Sequence, residues 1–101
     1  MPQQTEFTKF VALIDIDESN AQNVQEMASI WGDVRREFEE IGASVEESYA
    51  LLGEYDFLVT FEAPAAGTAF EADLVLERHG LSVQTMEMVD TEEFSELVRD
   101  A

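Results

Sequence analysis

The sequence of 101 residues, with 46% hydrophobic and 28% charged residues, excludes a disordered chain and fits a single domain, residues 1–101, with its own core. Its 23 acidic and five basic residues give a formal net charge of −18, which excludes nucleic acid and anionic membranes as partners because both bind clusters of Lys and Arg. With no cysteine, no signal-peptide pattern and no apolar segment of membrane-spanning length, we expect a soluble cytoplasmic protein without disulfides.

The first two predicted elements are a strand and an amphipathic helix. Residues 7–16, FTKFVALIDI, have apolar side chains at both even and odd positions, which predicts a strand in the middle of a sheet. Ser19 and Gln22 then form a capping box, and apolar residues recur at helical spacing as far as Ile41, before Gly42 supplies a C-cap.

The next two predicted strands form a hairpin. They cover residues 44–52 and 55–63 and are separated by Gly53 and Glu54. A two-residue connection with glycine in first place is typical of a type II′ turn, so we expect Gly53 to have a structural role there. Pro64 ends the second strand of the hairpin.

A helix, a strand and a short helix complete the chain. Thr68 and Glu71 form a second capping box that begins a helix ending at Gly80, and residues 81–89 follow as a strand. The last helix is acidic and has Asp90 or Thr91 as its cap. The order βαββαβ predicts a ferredoxin-like α+β fold, with an antiparallel four-stranded sheet, two helices on one face and a short C-terminal helix.

Alternation along the strands divides their residues between two faces of the sheet. The face under the helices is predicted to hold Phe10, Ala12, Ile14, Tyr49, Leu51, Phe57, Val59, Phe61, Met86 and Met88. The opposite face is predicted to hold Val11, Leu13, Asp15, Ser48, Ala50, Leu58, Thr60, Glu62, Val83, Thr85 and Glu87, subject to any β-bulge. This second set of residues is too apolar for a solvent-exposed surface and too polar for a hydrophobic core. We therefore expect a second subunit to cover it, with a polar-lined cavity between the sheets.

The run LGEYDFLVTFEAP, residues 52–64, resembles the signature of the GYD-domain family, in which a Gly-x-Tyr-Asp turn leads an aliphatic strand ending in Glu-Ala-Pro. The resemblance extends to the N-terminal FVALIDI strand, to Tyr49 and to the T-x-x-F run from Thr91 to Phe94. It implies a dimeric α/β barrel, in which two ferredoxin-like sheets face each other. It implies fold and assembly more than an activity, since a shared fold hosts many chemistries.

The acidic residues are spread evenly along the chain. Residues 1–50 contain 11 acidic and three basic residues, residues 51–101 contain 12 and two, and Lys9 is the only lysine. This balance resembles that of proteins from salt-in halophiles, because molar salt screens the repulsion between like charges. An ordinary acidic mesophilic protein is the alternative.

Four residues are candidates for a small-molecule site: Tyr55 and Asp56 at its rim, with Asp15 and Thr60 deeper on the same strands. Asp56 has the parity of the face assigned to the dimer, where a carboxylate is costly unless it is hydrogen-bonded or useful. Purely structural interpretations also exist, since Tyr55 can pack its ring against a strand and Asp56 can accept hydrogen bonds from turn amides.

No metal and no cofactor is predicted. His79, the only histidine, precedes Gly80 at a helix end, where capping explains it better than metal or haem ligation. The sequence has no zinc spacing, no Gly-rich phosphate loop and no Ser-His-Asp set.

Two functions therefore remain open at this point, and a filled barrel interior would favour a third interpretation, a purely structural subunit. The first is a homo-oligomeric small-molecule-binding domain in a high-salt cytoplasm, with a second copy of itself as partner. The alternative is a cofactor-independent enzyme of the dimeric α/β-barrel, monooxygenase-like type, in which a cavity carboxylate or Tyr55 transfers a proton. An enclosed cavity containing Asp15 or Asp56 would favour the enzyme.

Overall fold

The structure, a computed structural model, describes residues 7–16 and 24–100 of the chain. Its elements follow in this order: strand β1 (Thr8–Ile16), helix α1 (Val24–Glu40), strand β2 (Ser44–Ala50), strand β3 (Phe57–Ala63), helix α2 (Ala66–Arg78), strand β4 (Leu81–Met88) and helix α3 (Thr91–Asp100). This is the predicted βαββαβ order with a C-terminal helix. The predicted capping box of Ser19 and Gln22 lies outside the described residues.

The four strands form one antiparallel sheet in the order β2-β3-β1-β4. β1 and β3 occupy the centre, as the apolar residues on both sides of β1 predict. Helices α1 and α2 both pack against one face of this sheet, because residues of both belong to the same buried cluster. The fold is therefore the predicted ferredoxin-like α+β fold.

The core between helices and sheet is built around Phe61. Its ring stacks on Phe10 at a centroid distance of 5.4 Å and meets Phe38 of α1 edge to face at 5.2 Å. Burying a side chain of this size stabilises the fold by about 1.5–3 kcal/mol relative to leaving it in water. Among the described residues, the fully buried side chains are all hydrophobic.

Glycines end α1 and α2 as predicted. Gly42 and Gly80 have φ angles of 92° and 83°, a region that side chains with a Cβ rarely adopt. At the end of α1 the Ala43 amide donates to the Phe38 carbonyl oxygen at 2.9 Å, and at the end of α2 the Gly80 amide donates to the Glu77 oxygen at 2.9 Å. These bonds satisfy carbonyl groups that have no partner inside the helix.

The predicted start of α2 is wrong by three residues, because the N-cap is Ala65 and not Thr68. The helix begins at Ala66 behind Ala65, which makes no side-chain capping bond, and Thr68 lies inside the first turn, where its amide donates to the Ala65 oxygen at 3.1 Å. Pro64 has no amide hydrogen and ends the β3 ladder, so the chain turns into the helix at once. For α3, the cap is Asp90, whose Oδ1 accepts from the Glu93 amide at 2.7 Å.

The predicted two-residue type II′ turn is also wrong. The Leu51 amide donates to the Asp56 carbonyl oxygen at 2.8 Å, which closes a longer loop over residues 52–55. Gly53 has φ 148°, whereas a type II′ turn needs about +60° at its first central residue. The angle still lies in the region that favours glycine.

Two strands present the opposite parity to the one predicted. In β2 the register shifts between Val45 and Glu47, and this bulge moves Tyr49 away from the helices while Ser48 and Ala50 turn toward them. In β4 the register with β1 aligns Glu87 with the buried Phe10, so Thr85 and Glu87 face the helices and Met86 and Met88 face away. The predicted face of Val83 belongs to the same error, since Val83 packs against the core, and Leu51 lies beyond the end of β2.

Candidate functional site

The face of the sheet opposite the helices, called the open face below, has an apolar centre. Three rows of aligned residues cross it from β2 to β4: Tyr49, Leu58, Leu13 and Gln84; Glu47, Thr60, Val11 and Met86; and Ser44, Glu62, Lys9 and Met88. Charged residues lie at the margins of this pattern, with Asp15 beyond the first row. In one chain Tyr49 is 52% and Met86 40% exposed, so large apolar groups meet solvent here.

Asp56 fastens the hairpin to the end of β1. Its amide donates to the Ile14 carbonyl oxygen at 2.8 Å, and its carboxylate oxygen Oδ2 accepts from the Ile16 amide at 2.8 Å. The second bond extends the β1–β3 ladder by one step through a side chain instead of the backbone. A hydrogen bond to a charged group contributes about 1.5–3 kcal/mol, so Asp56 has a structural role whatever else it does.

Tyr55 reaches across the open face. Its hydroxyl donates to Oε1 of Gln84 on β4 at 2.8 Å. Because β1 lies between β3 and β4, the Tyr55 side chain crosses β1 to make this bond. The bond places a tyrosine hydroxyl and an amide side by side at the end of the apolar centre, in register with Leu13.

The structure brings three of the four predicted site residues to one end of the sheet. Asp15 lies two residues beyond Leu13 on the open face, and the Ile16 amide after it holds Asp56. Thr60 is on the same face but pairs with Val11, about 13 Å from Asp15 along β1. There its Oγ1 accepts from the Glu47 amide at 3.1 Å, which satisfies the backbone beside the β2 bulge.

The concavities formed by the described residues include four with distinct linings. One lies on the open face and has a volume of about 330 Å³; it is lined by Lys9, Glu46, Glu47, Thr60, Phe61 and Met88. The other three lie between the helices and the sheet or beside the β4–α3 connection, and two of them also include residues of the open face, Tyr49 in one and Lys9 and Met88 in the other. Asp15, Tyr55 and Asp56 line none of the four. None of these four concavities therefore encloses the carboxylates in the way that would favour an enzyme.

His79 is the C-cap residue of α2, as the sequence predicts. Its Nε2 lies 3.0 Å from Oε1 of Glu37 on α1, so it also links the two helices. Within residues 7–16 and 24–100, no group of three or more His, Asp or Glu side chains has an arrangement suited to a metal ion. The helices of the same residues include none with the length and apolar character needed to cross a membrane.

The Tyr55 end of the open face combines polar and apolar groups. It offers a hydroxyl and an amide that can donate and accept hydrogen bonds, a carboxylate at Asp15, and apolar area from Leu13 and Leu58. Gln84 was not among the predicted site residues. Gln84 lies two residues before Met86 and therefore on the same face of β4. A correct assignment of that face to the open side would have indicated Gln84 as a site residue.

Comparison with known families agrees with the signature around the hairpin. The family model of the GYD domain matches residues 10–98, which include every strand and helix described here except the outermost residues of β1 and α3. Among curated proteins, no sequence matches the chain. Because the family model covers most of its length, the chain belongs to the GYD-domain family.

Proposed function

We propose that this GYD-domain chain is a homodimer in which two open faces meet, and that it binds a small molecule between them. The observation that supports this most strongly is the composition of the open face. Its centre holds Tyr49, Leu58, Leu13, Val11 and Met86. The corrected parities of β2 and β4 bring Tyr49, Met86 and Met88 onto this face. Ala50 and Val83 leave it and Gln84 joins it, so the apolar side chains on the open face are larger than the sequence predicts.

A second copy of the chain suits this face because of charge. In a chain of net charge −18, two copies repel wherever acidic surfaces approach. The open face has uncharged residues at its centre and places Asp15, Glu47 and Glu62 at its margins. Two such faces can meet with their acidic groups in solvent, which is the usual division between the core and the rim of an interface.

The Tyr55 and Gln84 pair supports a ligand between the subunits. Small-molecule sites combine apolar walls with a few oriented polar groups, and the Tyr55 end of the open face provides both. A facing copy would enclose Asp15, Tyr55 and Asp56 at this end and Thr60 in the concavity at the other. One carboxylate oxygen of Asp56 accepts the hydrogen bond of the Ile16 amide, which makes this group less available as a general base, so binding fits it better than catalysis.

We further propose that the protein works in a high-salt cytoplasm. The acidic residues cover both halves of the sequence, and Lys9 is the only lysine. The Debye length falls to about 3 Å in molar salt, which screens repulsion between and within subunits. The midpoint of thermal unfolding should therefore rise steeply from low to molar salt. A midpoint that does not respond to salt would contradict this part of the proposal.

Sedimentation in molar salt at micromolar protein concentration tests the dimer. The wild-type chain should sediment as a dimer, and Leu58→Glu, which places a charge at the centre of the open face, should sediment as a monomer. Leu52→Glu is the matched control, because Leu52 is fully exposed in the hairpin loop. It should remain a dimer. A monomeric wild-type chain contradicts the proposal, as does a Leu58→Glu variant that still dimerises like the control.

A further inference from the structure

Lys9, the only lysine of the chain, lies on the open face. It is exposed in β1 and is aligned with Glu62 of β3 and Met88 of β4. It also lines the open-face concavity of about 330 Å³, together with Glu46 and Glu47. If another surface covers this face, the ammonium group of Lys9 needs a carboxylate beside it, because a charge that loses water without a partner is costly.

The described part of its own chain does not supply that carboxylate. Within residues 7–16 and 24–100, no carboxylate oxygen lies within 4.0 Å of the Lys9 ammonium group. This holds for Glu62, its cross-strand neighbour, and for Glu93, which lines a second concavity with it. Lys9 can therefore meet a carboxylate of another chain.

Two-fold symmetry limits how a second copy can lie on the open face. When two identical sheets pack face to face in an aligned manner, the axis lies between them and runs either along the strands or across them. An axis along the strands, between the central strands β3 and β1, brings each row of aligned residues opposite the same row of the other copy. An axis across the strands, through the middle row, brings the first row opposite the last.

The axis along the strands places opposite charges together. Lys9 of one copy faces Glu62 of the other, because the two residues occupy the central strands of the same row. The symmetry gives this contact twice. Further along the strands, Leu58 faces Leu13. An angle of about 30° between the sheets displaces facing residues of the Lys9 row by roughly 4 Å, which a lysine side chain can span.

The axis across the strands places the same charges against apolar groups. Lys9 then faces Leu13 of the other copy, and Glu62 faces Leu58. Glu47, on β2 in the middle row, faces its own counterpart, so two carboxylates lie opposite each other. An unpaired charge on an apolar surface and like charges across an interface are both unfavourable.

The axis along the strands has one unfavourable contact of its own. Asp15 and Asp56 follow the Leu13 row at the end of the sheet and face each other across the axis. Asp56 already accepts a hydrogen bond from the Ile16 amide, and the angle between the sheets displaces this outermost row most. Molar salt also screens repulsion between groups that remain in solvent. This contact therefore costs less than leaving Lys9 without a carboxylate in both copies.

We propose that the two-fold axis of the homodimer runs along the strands, between β3 and β1, and that Lys9 of each copy forms an ion pair with Glu62 of the other. The proposal rests on the open-face homodimer proposed above and names the contact that fixes the register of its two sheets. Charged pairs at the margin of an interface determine orientation more than they add affinity. A single lysine thereby selects one arrangement of two strongly acidic chains.

Mixing two variants of opposite charge tests the ion pair. One chain carries Lys9→Glu and the other carries Glu62→Lys. Each variant alone places like charges opposite each other, whereas a heterodimer of the two restores both pairs. Sedimentation at several concentrations in molar salt measures association, since partly buried pairs are screened less than exposed ones. We expect an apparent dissociation constant at least about tenfold lower for the equimolar mixture than for either variant alone.

Glu47→Lys is the matched control for Glu62→Lys. It changes the net charge equally and lies on the open face, but the proposed axis places it opposite Met86 of the other copy. Glu47→Lys alone should therefore dimerise like the wild type, and its mixture with Lys9→Glu should associate no more tightly than Glu47→Lys alone. The three substituted residues are all at least partly exposed, so the buried core stays intact.

Three results would contradict the proposal. A mixture that associates no more tightly than its components would show that Lys9 and Glu62 do not meet across the interface. An equal gain in the mixture with Glu47→Lys would show that net charge alone is responsible. Lys9→Glu and Glu62→Lys chains that each dimerise like the wild type would show that these charges lie apart. A dimeric wild-type chain in these cases leaves the open-face homodimer standing without this orientation, whereas a monomeric wild-type chain removes the basis of both proposals.

Discussion

The two faces of the sheet differ in how completely the chain covers them. On the helix side, Phe61, Val59 and Ile14 are almost wholly buried, and α1 and α2 cover the centre of the sheet. On the open face, the residues that alternate with them, such as Leu58 and Leu13, are half-buried, and Tyr49 and Met86 are exposed. The same two central strands therefore have one face that is buried within the chain and one face that is partly exposed to solvent.

This difference indicates which properties belong to one chain and which need two. The helix side should determine whether the domain folds, because its packing is complete within the monomer. The open face should determine association and binding, because its apolar residues gain burial only from another surface. Substitutions on the two faces should consequently change different measurements.

The largest effect is expected from truncating the core. Phe61→Ala should lower the free energy of unfolding by about 3–5 kcal/mol, since it leaves a cavity between Phe10 and Phe38. Leu13→Ala on the open face should lower the free energy of unfolding of the isolated chain by less, and should mainly weaken the association of two chains. Chemical denaturation at several protein concentrations measures both. Equal losses at every concentration would show that the two faces do not differ in the way described.

A smaller effect is expected at Asp56, which joins the two regions. Asp56→Ala should cost about 1.5–3 kcal/mol, because the Ile16 amide loses its charged acceptor. Asp56→Asn keeps an oxygen that can accept this bond and should cost less. Thermal unfolding in molar salt compares the two variants. If Asn is as damaging as Ala, the charge and not the hydrogen bond is what the fold requires.

The faces of β1 and β3 could be predicted from sequence because their pairing has no bulge and their polar residues Lys9, Asp15, Thr60 and Glu62 all fall on one face. The face of β2 could not, since the bulge at Val45 to Glu47 changes the parity of every later residue in the strand. β4 has apolar residues on both faces, with Leu81 and Val83 on one and Met86 and Met88 on the other. Hydrophobicity alone therefore does not decide its orientation, and the pairing with β1 does.

The residues of the candidate site that are close in sequence could be predicted, whereas those that only the folded sheet brings together could not. Tyr55 and Asp56 follow from the local signature around Gly53, and the structure places Asp15 close to them. Gln84 lies 29 residues further along the chain than its partner Tyr55, and only the folded sheet brings the two together. Thr60 was placed on the correct face, but its distance from Asp15 depends on the register in which β3 pairs with β1.

The hairpin provides a test of intermediate size. Gly53→Ala should cost about 1–2 kcal/mol, because the φ of 148° places a Cβ in an unfavourable region although no atom obstructs it. The loss should appear in thermal unfolding and not in the dimer mass. Gly67→Ala is the matched control, since Gly67 is in a helix and no positive φ is found there. A Gly53→Ala variant as stable as the wild type would show that the loop adopts another conformation.

The smallest effect on stability is expected at Tyr55. Tyr55→Phe removes one exposed hydrogen bond to Gln84 and should cost about 0.5–1.5 kcal/mol at most. It should nevertheless reduce any co-purifying small molecule detected by native mass spectrometry. Tyr49→Phe, a second tyrosine on the open face, is the control for that measurement. Retention of the same molecule by Tyr55→Phe would remove this residue from the proposed site.

The rate at which hydrogen peroxide oxidises Met86 and Met88 tests most directly whether a second copy covers the open face. Methionine sulfoxide forms according to solvent access, and mass spectrometry measures it at each residue. The account predicts that in molar salt both residues of the micromolar wild-type protein oxidise many times more slowly than in a free peptide of residues 81–90. Oxidation at the rate of the peptide would show that the open face remains in solvent, and would contradict the account.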